Sequence, residues 1–279
     1  MDYIPCQERK FPLFLQPLVA RISAGYSFWL KHLVERLGSE NVRRLWTDAF
    51  AKYDLKFLDS IISSGWTEIK PEDSPEEMET PDVFGTYVGK GKQGMSVSDA
   101  RSIVENTPPL PQITSTFPDL NVQRDTATYE ALHLYAHGLA LISETLIDRF
   151  GKQGELIAYD TLYAVRSDLG KRTGGTVEDY FRQSDEDLDK PGIYSAGLEI
   201  EKVSSSNNES VMRIKECEWA RYFKERHPGV GYLVACSTDE AYIRGFNKSL
   251  RMQRTSTLME GGKFCDFHFY VTEGIPDKS

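Results

Sequence analysis

The segment from Phe264 to Val271 reads FCDFHFYV and combines an apolar alternation with three side chains that can do chemistry. Because residues two apart in a strand point to the same side, Cys265 lies on one face, and Asp266 shares the other face with His268. A carboxylate and an imidazole among aromatic rings are typical of a ligand pocket in which protons are transferred. We therefore predict that the face with Asp266, His268 and Tyr270 lines a pocket, while the face with Cys265 belongs to the core. The alternative is that Asp266 and His268 face water.

A second chemically rich segment, Cys236 to Leu250, has the apolar spacing of a helix. Ser237 and Glu240 match an S-x-x-E capping box, which predicts that the helix begins there. Asp239 then falls on the buried side of the first turn, beside Cys236, where the helix N-terminus stabilises its anion. This position makes Asp239 a candidate general base, with a second capping role as the alternative.

Three of the four cysteines, Cys217, Cys236 and Cys265, lie in this last part of the chain. A thiol in a pocket can act as a nucleophile, so Cys236 and Cys265 are candidate catalytic residues beside Asp239, Asp266 and His268. The alternative for Cys265 is a small buried hydrophobic side chain. We expect no cofactor; the alternative is a zinc ion bound by Cys217, Cys236 and Cys265 with a carboxylate such as Glu216, although no C-x-x-C motif is present.

Four further side chains near these segments are candidates for substrate binding: Arg244, Asn247, Arg254 and Tyr270. An arginine at the edge of a pocket can hold a substrate carboxylate through two parallel hydrogen bonds.

Charge and composition narrow the class of partner. The chain of 279 residues has a formal net charge of −9, and its lysines and arginines are scattered, so we expect neither nucleic-acid nor membrane binding. No apolar run near the N-terminus is long enough for a signal peptide. We therefore expect a cytoplasmic protein with reduced cysteines and a small-molecule substrate. The sequence does not indicate an oligomeric state.

The secondary structure predicted around these residues indicates an α+β fold. Its N-terminal half is helical, and its C-terminal half is an antiparallel sheet with packed helices. Three segments are expected: a helical one over residues 1–66, a proline-rich linker or wrap over 67–122, and an α+β domain over 123–275. The helical and strand patterns predict helices over 18–62 (interrupted at Gly38), 98–105, 126–150, 154–169, 217–226 and 237–250, and hairpins over 198–203 with 211–216 and over 252–259 with 263–271.

Two motifs in the proline-rich region have structural interpretations. Gly89 to Gly94 match G-x-G-x-x-G but lack a surrounding βαβ unit, so a flexible loop is favoured over a nucleotide site. The run from Pro108 to Pro111 is typical of a stiff linker, with a polyproline helix that binds a partner as the alternative.

Four motifs in order along the chain carry a resemblance: LIDRFGKQGELIAYD at 146–160, KECEWARYF around Cys217, ACSTDEAYIRGFN at 235–247 and RTSTLMEGGKFCDFHF at 254–269. Over residues 125–272 the chain resembles the L-2-amino-thiazoline-4-carboxylic acid hydrolase family. That family is similar in turn to 4-vinyl-reductase-type domains, which are small α+β folds that bind small ligands and in some cases zinc. In this chain Thr257 to Glu260 stand where those domains have an acidic residue and a cysteine before the glycine turn. This departure counts against a zinc site of their kind.

The resemblance implies a hydrolase that opens a small heterocycle containing C–N or C=N bonds, such as a cyclic amidine, in specialised or biosynthetic metabolism. Water adds to the C=N carbon, which needs a base for the water and an acid for the departing heteroatom. The alternatives are a binding module without catalysis and a cyclase or isomerase acting on a similar ligand.

Overall fold

The computed structural model describes residues 3–4, 10–53, 65, 67–68, 97–107, 109–119, 122–182 and 197–272. The chain divides into two compact units, Lys10–Thr161 and Leu162–Ser279 together with Met1–Arg9. We call them the N-terminal unit and the C-terminal unit. The predicted boundary at residue 123 lies inside the N-terminal unit. The motif at 89–94 lies outside the described residues.

The described residues form an α+β fold, as predicted, and none of their helices is long and apolar enough to cross a lipid bilayer. The elements in chain order are β1 (Tyr3–Ile4), β2 (Lys10–Phe14), α1 (Leu15–Leu37), α2 (Ser39–Ala51), β3 (Thr67–Glu68), α3 (Val97–Glu105), α4 (Leu110–Thr116), β4 (Val122–Ala127), α5 (Thr128–Phe150), α6 (Lys152–Thr173), β5 (Leu198–Ser205), β6 (Glu209–Cys217), α7 (Glu218–Arg226), α8 (Gly231–Ala235), α9 (Asp239–Phe246), β7 (Leu250–Gln253) and β8 (Cys265–Val271).

The N-terminal unit is mainly helical. Gly38 separates α1 from α2 with a φ of 77°, a left-handed conformation that glycine adopts at little cost, so the predicted interruption is confirmed. The apolar positions of α2 are buried, with Leu45 and Trp46 almost fully enclosed. The stiff linker predicted over Pro108–Pro111 is wrong in its second half, because α4 begins at Leu110 and accommodates Pro111 in its first turn, where a proline costs no helical hydrogen bond.

A small sheet of β2, β4 and β3 completes the described part of the N-terminal unit. The sequence pattern missed β4, whose residues VQRDTA do not alternate between apolar and polar types and lead directly into α5. The predicted helices over 126–150 and 154–169 are present as α5 and α6, which are joined at Gly151 with a φ of 55°.

The C-terminal unit is built on a five-stranded antiparallel sheet in the order β1-β5-β6-β8-β7. Both predicted hairpins are present, with shifted ends in the second. Its first strand stops at Gln253 and not at Met259, because residues 257–262 form a hydrogen-bonded turn in which the Gly262 N–H donates to the Thr257 carbonyl at 2.8 Å. The predicted helix over 237–250 is shorter, since α9 ends at Phe246.

Candidate functional site

One face of the C-terminal sheet encloses a cavity of about 390 Å³, which we call the sheet cavity. Its walls are largely apolar and come from β5, β6, β7 and β8, with contributions from α6, α9 and the segment before α9. Three charged residues line it: Arg166, Asp239 and Arg254. The volume and the few polar groups in an apolar wall are those of a small-molecule site.

The last strand alternates as predicted, but the predicted pocket face is wrong. Cys265, Phe267 and Phe269 line the sheet cavity, whereas Asp266 and His268 lie on the opposite face. The apolar face turns inward because the helices of this unit cover it, and its burial is favourable. The opposite face keeps its polar groups near water, where their solvation is retained.

The three predicted site residues on that opposite face make structural contacts. Asp266 accepts hydrogen bonds from the backbone N–H groups of Thr255 (3.0 Å) and Ser256 (2.6 Å). His268 Nε2 lies 2.6 Å from an exposed Glu209 oxygen, and the His268 ring packs in a tilted arrangement against Tyr270, with 4.9 Å between the ring centroids. Partial burial raises the pKa of Asp266, but the hydrogen bonds outweigh that effect and lower it overall.

Asp239, at the start of α9, is paired with Arg254, which directly follows β7. Arg254 Nη1 donates to Asp239 Oδ2 at 2.7 Å, and Nη2 donates to the Cys236 carbonyl oxygen at 2.8 Å. The Arg254 guanidinium also lies over the Phe267 ring, 5.0 Å from its centroid. Only 7% of the Arg254 side chain and 24% of the Asp239 side chain are exposed, so the pair is largely buried.

Capping does not account for Asp239. Thr238 precedes α9 and makes no side-chain cap hydrogen bond, and the predicted Ser237–Glu240 capping box is wrong. The Ser237 hydroxyl donates instead to the Leu233 carbonyl at 2.7 Å, one turn back along the chain. Asp239 instead lines the sheet cavity together with Arg166 and Arg254.

The surroundings of the sheet cavity favour the neutral, protonated forms of its carboxyl and thiol groups. Burial raises the pKa of Asp239, and the positive charges of Arg166 and Arg254 oppose that rise without cancelling it. Burial likewise raises the pKa of the Cys217 thiol to about 12 and that of Cys236 further, the latter also through the nearby Asp239 charge. A carboxyl whose pKa is raised by burial is a stronger base when ionised, which suits it to accept and return a proton.

The three thiols all reach the sheet cavity, yet they do not form a metal site. Cys217, Cys236 and Cys265 are free thiols, and the Leu258 N–H donates to the Cys265 sulfur at 3.2 Å. Within the described residues no three His, Cys, Asp or Glu side chains are placed to hold a metal ion. The predicted zinc ligand set therefore does not fit this geometry.

Two other predicted substrate-binding residues lie outside the cavity wall. Arg244 is half exposed and lies 3.9 Å from Glu240 on the same helix. Asn247 ends α9, where its Nδ2 donates to the Gly175 carbonyl at 3.0 Å and its Oδ1 accepts from the Ser249 N–H at 2.9 Å. Arg254 is the predicted binding residue that the structure does place in the cavity.

Arg166 on α6 is a cavity residue that the sequence pattern missed. Two glycines bring α6 against α9: a Cβ on Gly170 would lie 2.2 Å from the Tyr242 carbonyl oxygen, and one on Gly245 would lie 2.3 Å from that of Ser167. This close backbone approach carries Arg166, one turn before Gly170, to the sheet cavity. The paired glycines were the available signal, but only the fold shows that they face each other.

Residues 131–269, about half of the chain, match the family model described as L-2-amino-thiazoline-4-carboxylic acid hydrolase. This region belongs to that family. The match confirms the resemblance and covers every charged and thiol residue of the sheet cavity, so the cavity is the candidate active site of this hydrolase-family region.

Comparison with curated proteins and with solved structures gives no further indication of function. No curated protein matches the chain. One solved structure, a mutant of the H-NOX protein from K. algicida in its Fe(II) unliganded form, is similar at 12% identity, over 91% of this chain and 97% of that one. Its TM-score of 0.21 supports no inference about the fold or ligand of this chain.

Proposed function

We propose that this protein is a hydrolase that opens a small heterocycle at a C=N carbon, as in a cyclic amidine such as an aminothiazoline. The observation that carries the proposal is the Asp239 carboxyl, which lies in a cavity for small molecules and has a raised pKa. The family match supports the hydrolytic reaction class. The apolar walls support it too, because they exclude bulk water from the reacting carbon.

In the proposed reaction Asp239 takes a proton from a water molecule while the water oxygen bonds to the C=N carbon. The electron pair of the C=N bond moves to the nitrogen, which gains a proton from solvent or from a neutral acid of the cavity. The new tetrahedral carbon then forms a C=O bond as its ring bond to a heteroatom breaks, and its hydroxyl proton passes to the solvent or to the cavity group that had protonated the nitrogen. Asp239 returns its proton to that heteroatom, so one water is consumed and no redox partner is needed.

Arg254 positions the base in this scheme. Its two hydrogen bonds fix the Asp239 carboxylate relative to the Cys236 carbonyl, and its charge limits the rise of the Asp239 pKa and so favours the ionised form. The thiols of Cys217, Cys236 and Cys265 have raised pKa values and stay protonated, which favours a role as cavity wall over attack as thiolates.

The test is incubation of the purified protein with L-2-amino-thiazoline-4-carboxylic acid and a panel of other cyclic amidines in ¹⁸O-labelled water. The expected product is ring-opened and carries one oxygen atom from the solvent, as detected by mass spectrometry. Release of an unchanged compound from the protein would instead favour a binding module. A rearranged product without solvent oxygen would favour a cyclase or isomerase, and either result would contradict the proposal.

A further inference from the structure

Among the residues that the structure describes, the positive and negative charges that line the sheet cavity are unequal in number. Arg166 and Arg254 each carry a positive charge, and Asp239 carries one negative charge when it is ionised. The three described thiols are neutral, since their pKa values are raised. The described part of the cavity wall therefore has an excess of one positive charge, and of two while Asp239 is protonated. Uncompensated charge in an apolar cavity is costly, and an anionic ligand would remove that cost.

The two arginines of the sheet cavity, Arg166 and Arg254, differ in their contacts with other residues. Arg254 is occupied, with hydrogen bonds to Asp239 and to the Cys236 carbonyl and a ring beneath its guanidinium. Arg166 makes no hydrogen bond to, and no ion pair within 4.0 Å of, any residue that the structure describes. Its five N–H donors are left for a ligand or for water.

The Arg166 guanidinium nevertheless acts on the reacting part of the cavity. Its positive charge opposes the rise in the pKa of Asp239 that burial causes, as the charge of Arg254 does. A group bound to Arg166 would thus lie within the same cavity as the Asp239 carboxylate without displacing the Asp239–Arg254 pair.

We propose that Arg166 binds the carboxylate of a monoanionic ligand and thereby selects anionic over neutral small molecules, while Arg254 positions Asp239. The planar guanidinium fits a carboxylate through two parallel hydrogen bonds. This assignment moves the predicted carboxylate clamp from Arg244 and Arg254 to Arg166. It rests on the proposed function only in taking the sheet cavity as the ligand site.

The test uses two probes that differ in charge and contain an aromatic ring resistant to hydrolysis: thiazole-4-carboxylate and thiazole-4-carboxamide. Their dissociation constants are measured by calorimetry for the wild type, Arg166→Met, Arg166→Lys and the control Arg244→Met. The wild type and Arg244→Met should prefer the carboxylate. Arg166→Met should weaken carboxylate binding by roughly 10- to 100-fold, as expected for hydrogen bonds to a charged group, and leave carboxamide binding unchanged. Arg166→Lys should restore part of the preference.

Equal binding of the two probes by the wild type, binding of neither, or a preference that survives Arg166→Met would overturn the assignment. A thermal unfolding scan of each variant shows that it is folded, and Arg166→Gln replaces Arg166→Met if the latter does not fold. Because calorimetry measures binding without turnover, the two proposals can fail separately. If the carboxylate preference depends on Arg166 but the protein hydrolyses none of the cyclic amidines, only the proposed function is contradicted.

Discussion

The two faces of the C-terminal sheet hold similar groups in different surroundings. On the cavity face, Arg254 lies 5.0 Å from the Phe267 ring centroid and 2.7 Å from an Asp239 oxygen. On the opposite face, Arg213 lies 5.1 Å from the Phe264 ring centroid and 3.6 Å from a Glu201 oxygen. The exposed fraction of the arginine side chain is 7% in the first arrangement and 42% in the second.

Burial, and not residue type, distinguishes a candidate reactive group from a structural one here. Asp239 and Asp266 are the same residue type, yet the pKa of Asp239 is raised by burial, whereas hydrogen bonds lower that of Asp266. The first carboxyl therefore gains a proton at a higher pH than the second, which accepts backbone hydrogen bonds and holds a loop. A test of the account should therefore change matched groups on the two faces.

The largest expected effect on stability comes from removing each arginine. Arg254→Met leaves the Asp239 carboxylate in the cavity without its hydrogen-bonded partner, so we expect a loss of about 3–5 kcal/mol in the free energy of unfolding. Arg213→Met breaks a more exposed pair and should cost at most about 1 kcal/mol. Urea denaturation of both variants measures the difference. Equal losses would show that the two faces are not distinguished by burial.

A smaller effect is expected from separating the helices that frame the cavity. In Gly245→Ala the new methyl group would lie 2.3 Å from the Ser167 carbonyl oxygen, so α6 and α9 must move apart at a cost of about 1–3 kcal/mol. A methyl group added at Gly229 would have no atom within 4 Å, and Gly229→Ala should be nearly neutral. Thermal unfolding compares the two. A harmless Gly245→Ala would mean that close packing does not position Arg166.

The pH dependence should show the smallest but most specific effect. A general base must be ionised, so kcat/KM should rise with pH through the pKa of Asp239, which lies above the ordinary value of 3.8. Arg166→Met removes a positive charge that favours the ionised form, so the acid limb of the profile should move to higher pH. Arg244→Met should leave the limb in place. A limb that moves to lower pH in Arg166→Met would contradict the assigned electrostatics.

Much of the fold could be predicted because its signals are local. Helical spacing gave α1, α2 and α3, and alternation with polar turns gave the two C-terminal hairpins. The capping box failed at Ser237 because a hydroxyl can equally donate to a carbonyl one turn back. β4 was missed because strand formation there depends on pairing with β2 and β3 and not on its own pattern.

The candidate site was only partly predictable. Asp239, Arg254 and the three cysteines were found because they lie close together in sequence, on elements with clear patterns. Alternation in β8 defined two faces, but the choice between them depends on which face the helices cover, and that choice was wrong. Arg166 belongs to a helix far along the chain, and only tertiary packing through Gly170 and Gly245 brings it to the cavity.

The most direct test of the central claim is the turnover of Asp239→Asn beside Asp266→Asn, the same change on the two faces of the sheet, once a ring substrate is in hand. We expect Asp239→Asn to lower kcat/KM by roughly 10²- to 10⁴-fold, as for loss of a general base, while the protein remains folded. Asp266→Asn should keep turnover within about threefold, since the residue touches no cavity group. Full activity in Asp239→Asn, with activity lost in Asp266→Asn, would place the chemistry on the opposite face and contradict this account.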